Sequence, residues 1–167
     1  MAVYPIPEND DERVEYLRKT HLLDTPEEDV FNAIVGLAKS HFNVPIAIIN
    51  LIDKDRQWFK AKCGVTLTET SRDDSMCTHT IMDEFVTIIP DASKDSRFEH
   101  NRYVINAPNI RFYAGAPIIM PAGIIIGTLC LVDDKANNEF DPQQANELAE
   151  MALIVAHIIE LSMLANA

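Results

Sequence analysis

The sequence predicts an α+β domain: a central antiparallel sheet of five or six strands flanked by helices on both sides. Three observations predict it. Five segments rich in β-branched and aromatic residues include two pairs whose connections are too short to hold a crossover helix, so those neighbours should pair as antiparallel hairpins. Two of the segments, Ile46 to Ile52 and Ile124 to Val132, are apolar at nearly every position, as strands covered on both faces are. Apolar residues at three- and four-residue steps mark helices at both ends of the chain. The length of 167 residues and the 47% apolar content suit one domain over 1–167, with a core over about 24–165 and an N-terminal helix over about 11–22.

Taken in chain order, the helix from Asp11 to Leu22 sets Val14, Leu17 and His21 on one side. Thr25-Pro26-Glu27-Glu28 offers a hydroxyl at the N-cap, a proline at N1 and a Glu at N3, which predicts a second helix from Pro26 to Ser40. Strands follow at Pro45 to Asp53 and Gln57 to Cys63. On the first, Asn50 shares a face with Ile46, Ile48 and Ile52, so its amide enters apolar surroundings and must find partners. On the second, alternation groups Trp58 with Lys60 and Lys62, and makes Phe59 the better core candidate beside Ala61 and Cys63. The connection Gly64 to Glu84 should contain a short helix beginning at Met76-Cys77, capped by Asp74 or Ser75.

A strand over Phe85 to Asp91 leads into the polar stretch Pro90 to Arg111, and a hairpin of Phe112 to Met120 with Gly123 to Val132 follows. Gly115 and Gly127 interrupt bulky strands, the usual mark of a bulge or a close backbone approach. Asp141-Pro142-Gln143-Gln144 repeats the helix-start pattern and opens a helix to about Leu164. Its stretch Met151 to Ile159 is apolar around more than one stripe. A helix of a second copy should therefore bury Leu153, Ala156 or Ile158 alongside the core positions Leu148, Val155 and Ile159; the alternative is full burial by the first two helices.

The net charge of −12 excludes a phosphate backbone or anionic bilayer as natural partner, since both need clustered cations. No stretch is read as the roughly 20 apolar residues of a membrane span, and the acidic Met1 to Glu12 is unlike a signal peptide. A cytoplasmic protein is expected, with Cys63, Cys77 and Cys130 as reduced thiols rather than a disulfide framework. The two connections flanking Phe85 to Asp91 are too long to be turns, and such loops are commonly functional.

Several blocks occur together in order: Leu23-Asp24-Thr25-Pro26-Glu27-Glu28, Pro45 to Asp53 with Asp55 to Lys60, Met76-Cys77-Thr78-His79, Pro90-Asp91-Ala92 with Asp95 to Phe98, Ile110 to Pro117, and Gly127 to Asp133. Over nearly the whole chain this resembles a GAF domain, of the kind found ahead of bacterial histidine kinase and diguanylate cyclase modules. The resemblance implies a GAF-like, PAS-related sheet with the N- and C-terminal helices on one face. On the other face it implies a pocket for a small molecule, lidded by 64–84 and 90–111. It also implies a role in signal transduction, in two-component or cyclic-di-GMP signalling, beside an output domain or protein, and pairing into a homodimer through the terminal helices. The residues expected to line the pocket are Cys77, His79, Asp91, Arg97, Phe112 and Tyr113; no cofactor, metal or catalytic residue is expected, and the ligand itself is left open.

Three chemistries known in the family bear on these residues. Free methionine sulfoxide reduction uses a thiolate and a resolving thiol. Cys77 falls where those reductases carry one cysteine, but 90–111 contains no Cys, so this thiol redox activity is the lesser alternative, as is a ligand-free dimerisation scaffold. Bilin attachment commonly uses a cysteine just before the strand corresponding to Phe112 to Met120, and here the nearest upstream thiol is Cys77. For cyclic nucleotides, Arg72, Arg97, Arg102 and Arg111 are available cations, although Arg97 and Arg111 can equally pair with Asp91, Asp95 or Glu99.

Overall fold

The computed structural model describes residues 4–167. Its elements are α1 (Asp10–Lys19), α2 (Asp29–Phe42), β1 (Ile46–Ile52), β2 (Arg56–Cys63), β3 (Glu69–Ser71), α3 (Cys77–Thr80), β4 (Thr87–Ile89), α4 (Arg102–Ile105), β5 (Phe112–Ile119), β6 (Ile125–Asp133) and α5 (Pro142–Ala165), with single 3-10 turns at Arg72–Asp74, Ala92–Lys94 and Pro121–Gly123. The strands form one six-stranded antiparallel sheet in the order β3-β2-β1-β6-β5-β4. Both expected hairpins, β1–β2 and β5–β6, are present.

The sheet separates two apolar layers, as the unbroken hydrophobicity of its central strands predicts. Ala47, Ile49 and Leu51 of β1, with Ala114, Ala116 and Ile118 of β5, face Phe31, Val35 and Ala38 of α2 and Leu148, Ala152, Val155 and Ile159 of α5. The opposite face presents Ile46, Ile48, Ile52, Tyr113, Cys130 and Val132 to Met76, Cys77, Ile81, Phe98 and Val104. Helices of 14 and 24 residues cover the first face, while α3 and α4, of four residues each, sit over the second. That inequality positions the site.

At α5 the helix-start reading holds in full: Asp141 Oδ1 accepts from Gln144 N at 2.8 Å, and Gln144 Oε1 accepts from Asp141 N at 3.0 Å. The α5 helix is also long and apolar enough to cross a membrane by length and composition, against the expectation that no such stretch exists. Part of that hydrophobicity is used against the sheet. Leu153 and Ile154 remain about half exposed, and Leu161 and Leu164 are more so. Ala156 lies in the core, so it cannot belong to a second surface.

Three departures meet at the buried cation Lys60. Its Nζ donates to Thr25 Oγ1 (2.8 Å) and the Pro26 carbonyl (2.8 Å), and pairs with Glu28 (2.6 Å). Thr25, Pro26 and Glu28 are thereby held as an extended lead-in; α2 begins at Asp29 with Glu28 as its N-cap, and the expected cap at Thr25 is not made. A bulge at this point of β2 sets Asn50 opposite Phe59 but Ile49 opposite Ala61, so Ala61 joins Trp58 on the α2 face. Trp58 is the buried core residue, and Phe59 turns to the other side of the sheet. Two further differences are the short edge strand β3, paired with β2, and β4 starting at Thr87, with Phe85 exposed.

The N-terminal helix is fastened by ionic contacts rather than by apolar area alone. Arg13 and Arg72 are both 1% exposed. Asp10 accepts from Arg13 Nε (2.9 Å) and from both terminal nitrogens of Arg72 (2.9 Å each). Arg13 also donates to the Ile52 carbonyl, and Arg72 to the carbonyls of Asp53 and Lys54. Burial raises the Asp10 carboxyl, but the two guanidiniums outweigh it and hold the group below its usual 3.8. Its contribution is therefore present in full above the usual carboxylate range and is lost as pH falls through the lower folded value. Asp10→Ala, which strands two buried guanidiniums, should cost about 3–5 kcal/mol in urea unfolding at neutral pH, and the difference from wild type should narrow only below about pH 4.

Candidate functional site

The weakly covered face of the sheet holds a cavity of about 420 Å³. Its floor is Ile46, Ile48 and Asn50 of β1, Phe59 of β2, and Cys130 and Val132 of β6. Its roof comes from residues 64–67, Asp74 and Met76 on one side and from Tyr103, Ala107, Pro108 and Ile110 on the other, so both long connections contribute as expected. The wall is predominantly hydrocarbon, the composition of small-molecule sites. The two connections are tied together: Asn101 caps α4 through its Oδ1 (2.8 Å from Tyr103 N) while its Nδ2 donates to the Asp74 carbonyl at 3.0 Å.

The floor carries a fully enclosed polar cluster. Asn50 Nδ2 donates to Cys77 Sγ (3.1 Å) and Cys130 Sγ (3.5 Å), and its Oδ1 accepts from Thr128 Oγ1 (3.1 Å). This is the partner set the Asn50 amide requires. Tyr113 OH lies 3.0 Å from Cys77 Sγ and 2.8 Å from Thr80 Oγ1, and Thr128 Oγ1 is 3.1 Å from Cys77 Sγ. Gly115 makes this possible, because a Cβ there would collide with the Tyr113 hydroxyl. A second group, Gln57 Nε2 to Thr70 Oγ1 (3.0 Å) and Ser75 Oγ to Gln57 Oε1 (2.7 Å), ties β2 to the first connection. Ser75 Oγ also accepts from Thr78 N at 3.3 Å, although α3 begins at Cys77 with Met76, not Ser75 or Asp74, at the N-cap position.

Of the six expected pocket residues, the structure brings Cys77 and Tyr113 to the cavity and sets four elsewhere. His79 stands two positions from Cys77 on α3 and turns away, its ring edge-on to Phe98 at 4.7 Å. Asp91 caps the 3-10 turn, accepting from Ser93 N (3.0 Å) and Oγ (2.6 Å). Arg97 pairs with Asp95 at 2.8 Å and lies over the Phe98 ring. Phe112, adjacent to Tyr113, takes the opposite face by strand alternation and meets Phe140 at 5.3 Å. Sequence reasoning missed Phe59, Met76, Tyr103, Ile110, Cys130 and Val132. Cys130 was reachable, because it alternates with Thr128 and Val132 and pairs with Ile48 across β1–β6.

Cys77 is the chemically distinctive group. Burial pushes its thiol up, but hydrogen bonds from Cys130, Thr128, Tyr113 and Asn50 outweigh that and bring it from 9.0 down to about 7. Its hydrogen bond with Cys77 and burial raise Cys130, while burial and the Cys77 charge raise the Tyr113 phenol. The cluster therefore ionises first at Cys77. Among the described residues no group of three His, Cys, Asp or Glu side chains is placed to hold a metal. With its pKa depressed, Cys77 adds stability in full above its usual 9.0 and loses it as pH falls through about 7. A pH titration of thiolate absorbance in the ultraviolet should show a step near pH 7 that Cys77→Ser abolishes and Thr128→Val moves upward.

Comparison with known proteins adds to this geometry. The family model described as "GAF domain" matches residues 26–159. The chain is 37% identical over 155 residues to the cyclic di-GMP phosphodiesterase PA2567 of Pseudomonas aeruginosa; the match covers 93% of the chain and 26% of that relative, so the chain spans about a quarter of its length. In fold it is similar to the GAF domain of a phosphoenolpyruvate-protein phosphotransferase from Coxiella burnetii (TM-score 0.70, 14% identity, 95% of this chain and 99% of that one). It is likewise similar to the free methionine-R-sulfoxide reductase of Neisseria meningitidis in complex with its substrate (TM-score 0.67, 17% identity, 99% of each chain). The six-stranded sheet, its unequal coverings and the matched 26–159 segment agree: this chain belongs to the GAF domain family.

Proposed function

We propose that the chain is a cytoplasmic, non-catalytic sensory module that binds a small molecule between the sheet and the connections 64–84 and 90–111, and signals to an adjoining output domain or partner. The observation that carries this is the apolar-walled cavity of about 420 Å³ bounded by both connections. Of the six residues expected there, Cys77 and Tyr113 stay in the proposed ligand site. Phe59, Tyr103 and Val132 join them. A non-catalytic reading is supported by the position of Cys77, 3% exposed at the enclosed end of the floor, with its hydrogen-bond partners all structural. The three free thiols accord with a reducing compartment. The cyclic di-GMP phosphodiesterase activity of the Pseudomonas relative, of which this chain spans 26%, supports cyclic-di-GMP signalling as the setting.

The reading includes a homodimer through α5. Leu153, Ile154, Leu161 and Leu164 leave an apolar side of that helix uncovered. Native mass spectrometry of the purified protein tests both parts together. The expected result is a dimer mass with a recurring small adduct. Val65→Trp, which narrows the cavity, should lose the adduct and keep the dimer, whereas Leu153→Glu with Ile154→Glu should give a monomer that keeps the adduct. A bare wild-type mass that small metabolites never increase would contradict the sensor reading, and a monomeric wild type would contradict the dimer.

A further inference from the structure

The charge make-up of the cavity narrows what it can hold; this inference rests on the sensor reading above. Among the described residues no Lys, Arg or His lines the cavity, and Asp74 is the carboxylate in its wall. The cations near it are held by other groups, except Arg102, which is exposed at the rim. Arg72 is taken by Asp10 and two backbone carbonyls, and Arg97 by Asp95. Arg111 donates to the carbonyls of Val104 and Ile110 (2.9 Å each), and Arg102 stands 3.8 Å from Asp74. The nearest strand cation, Lys62, opposite Ile48 in the β1–β2 register, turns its Nζ to the carbonyls of Thr66 (3.3 Å) and Leu67 (2.8 Å) on the roof. The buried amide donors in the floor are also spent, Asn50 on the two thiols and Gln57 on Thr70.

An anion entering this space would lose its hydration and find neither a cationic side chain nor a free side-chain amide, only the Thr66 and Tyr103 hydroxyls and the backbone N–H groups of the roof, and the missing counter-charge selects against it. An uncharged molecule loses little and gains contact with Ile46, Ile48, Phe59, Val65, Ile110 and Val132. We propose that this cavity takes an uncharged, predominantly apolar small molecule and rejects phosphate esters and free amino acids, whose phosphate or α-carboxylate meets no cationic side chain in the lining. Cyclic nucleotides and methionine sulfoxide both fall in the rejected classes. The family fold therefore carries here a ligand of different chemistry from either.

A matched pair of fluorescent probes tests the charge rule. N-Phenyl-1-naphthylamine is uncharged, and 8-anilinonaphthalene-1-sulfonate is the same aromatic skeleton with a sulfonate added; both brighten on leaving water. Each is titrated into the wild type, Val65→Trp and, as a second narrowing variant on the roof, Leu67→Trp, with circular dichroism to check folding. Only signal removed by a folded narrowing variant is assigned to the cavity, since the exposed side of α5 binds such probes as well. The expected result is cavity binding of the uncharged probe, at least about tenfold weaker cavity binding of the sulfonate, and no displacement by cyclic GMP or methionine sulfoxide. Val65→Lys should then recover sulfonate binding, and Lys62→Gln should leave the discrimination unchanged. Cavity binding of the sulfonate within about tenfold of the uncharged probe, or displacement by either charged metabolite, overturns the charge rule and leaves the sensor reading standing. Absence of any cavity signal from both probes overturns the sensor reading together with this inference.

Discussion

The organisation of this domain follows from one constraint: its central sheet is apolar on both faces, and the chain supplies long helices for only one of them. All seven residues of β1 are buried, so neither face can be left to water. The faces are covered by different means. Two helices totalling most of the helical residues close the first as a continuous core. The second is closed by single helical turns and irregular backbone, which must keep its own polar groups satisfied and cannot interdigitate as densely as a helix face. The cavity is the geometric remainder of that covering.

Buried polar contacts then decide where the irregular covering sits. On the floor, Asn50 and Thr128 hold Cys77 and so moor α3 to β1 and β6, while Tyr113 reaches across from β5. At the rim, Gln57 and Ser75 fix the start of α3 to β2. Asp74 lies in the cavity wall two residues from Arg72, which grips Asp10 of α1. A continuous set of contacts thus runs from the cavity wall to the N-terminal helix.

Much of this was legible in the sequence. The short connections named both hairpins, the near-continuous apolar runs required cover on both faces, and the length of the two connections marked the lid. The α5 start was read to the residue because its capping box depends only on neighbouring side chains. The α2 start was misread because a distant residue, Lys60, claims the same Thr25 and Pro26 groups, and no local pattern reports a partner 35 residues away. Trp58 and Lys60 share a strand face as alternation predicts, but that face is core because the Lys60 ammonium is buried against Thr25, Pro26 and Glu28, while the bulge after Phe59 brings Ala61 to the same face. Site residues fared worse than folds for a related reason: Asp91 and Arg97 are the polar types a site uses, but their own neighbours Ser93 and Asp95 consume them. The residues that do line the cavity are mostly plain hydrocarbon, which gives no chemical signal in sequence.

The central claim is that the space over Ile46, Ile48 and Val132 is a binding site and not a packing irregularity. A crystal structure of the protein purified without refolding, read at that position, tests it most directly. The expected result is continuous electron density for a small uncharged molecule bounded by Phe59 below and by Ala107, Pro108 and Ile110 above. Density showing Tyr103 and Phe59 swung inward to fill the space with protein would contradict it.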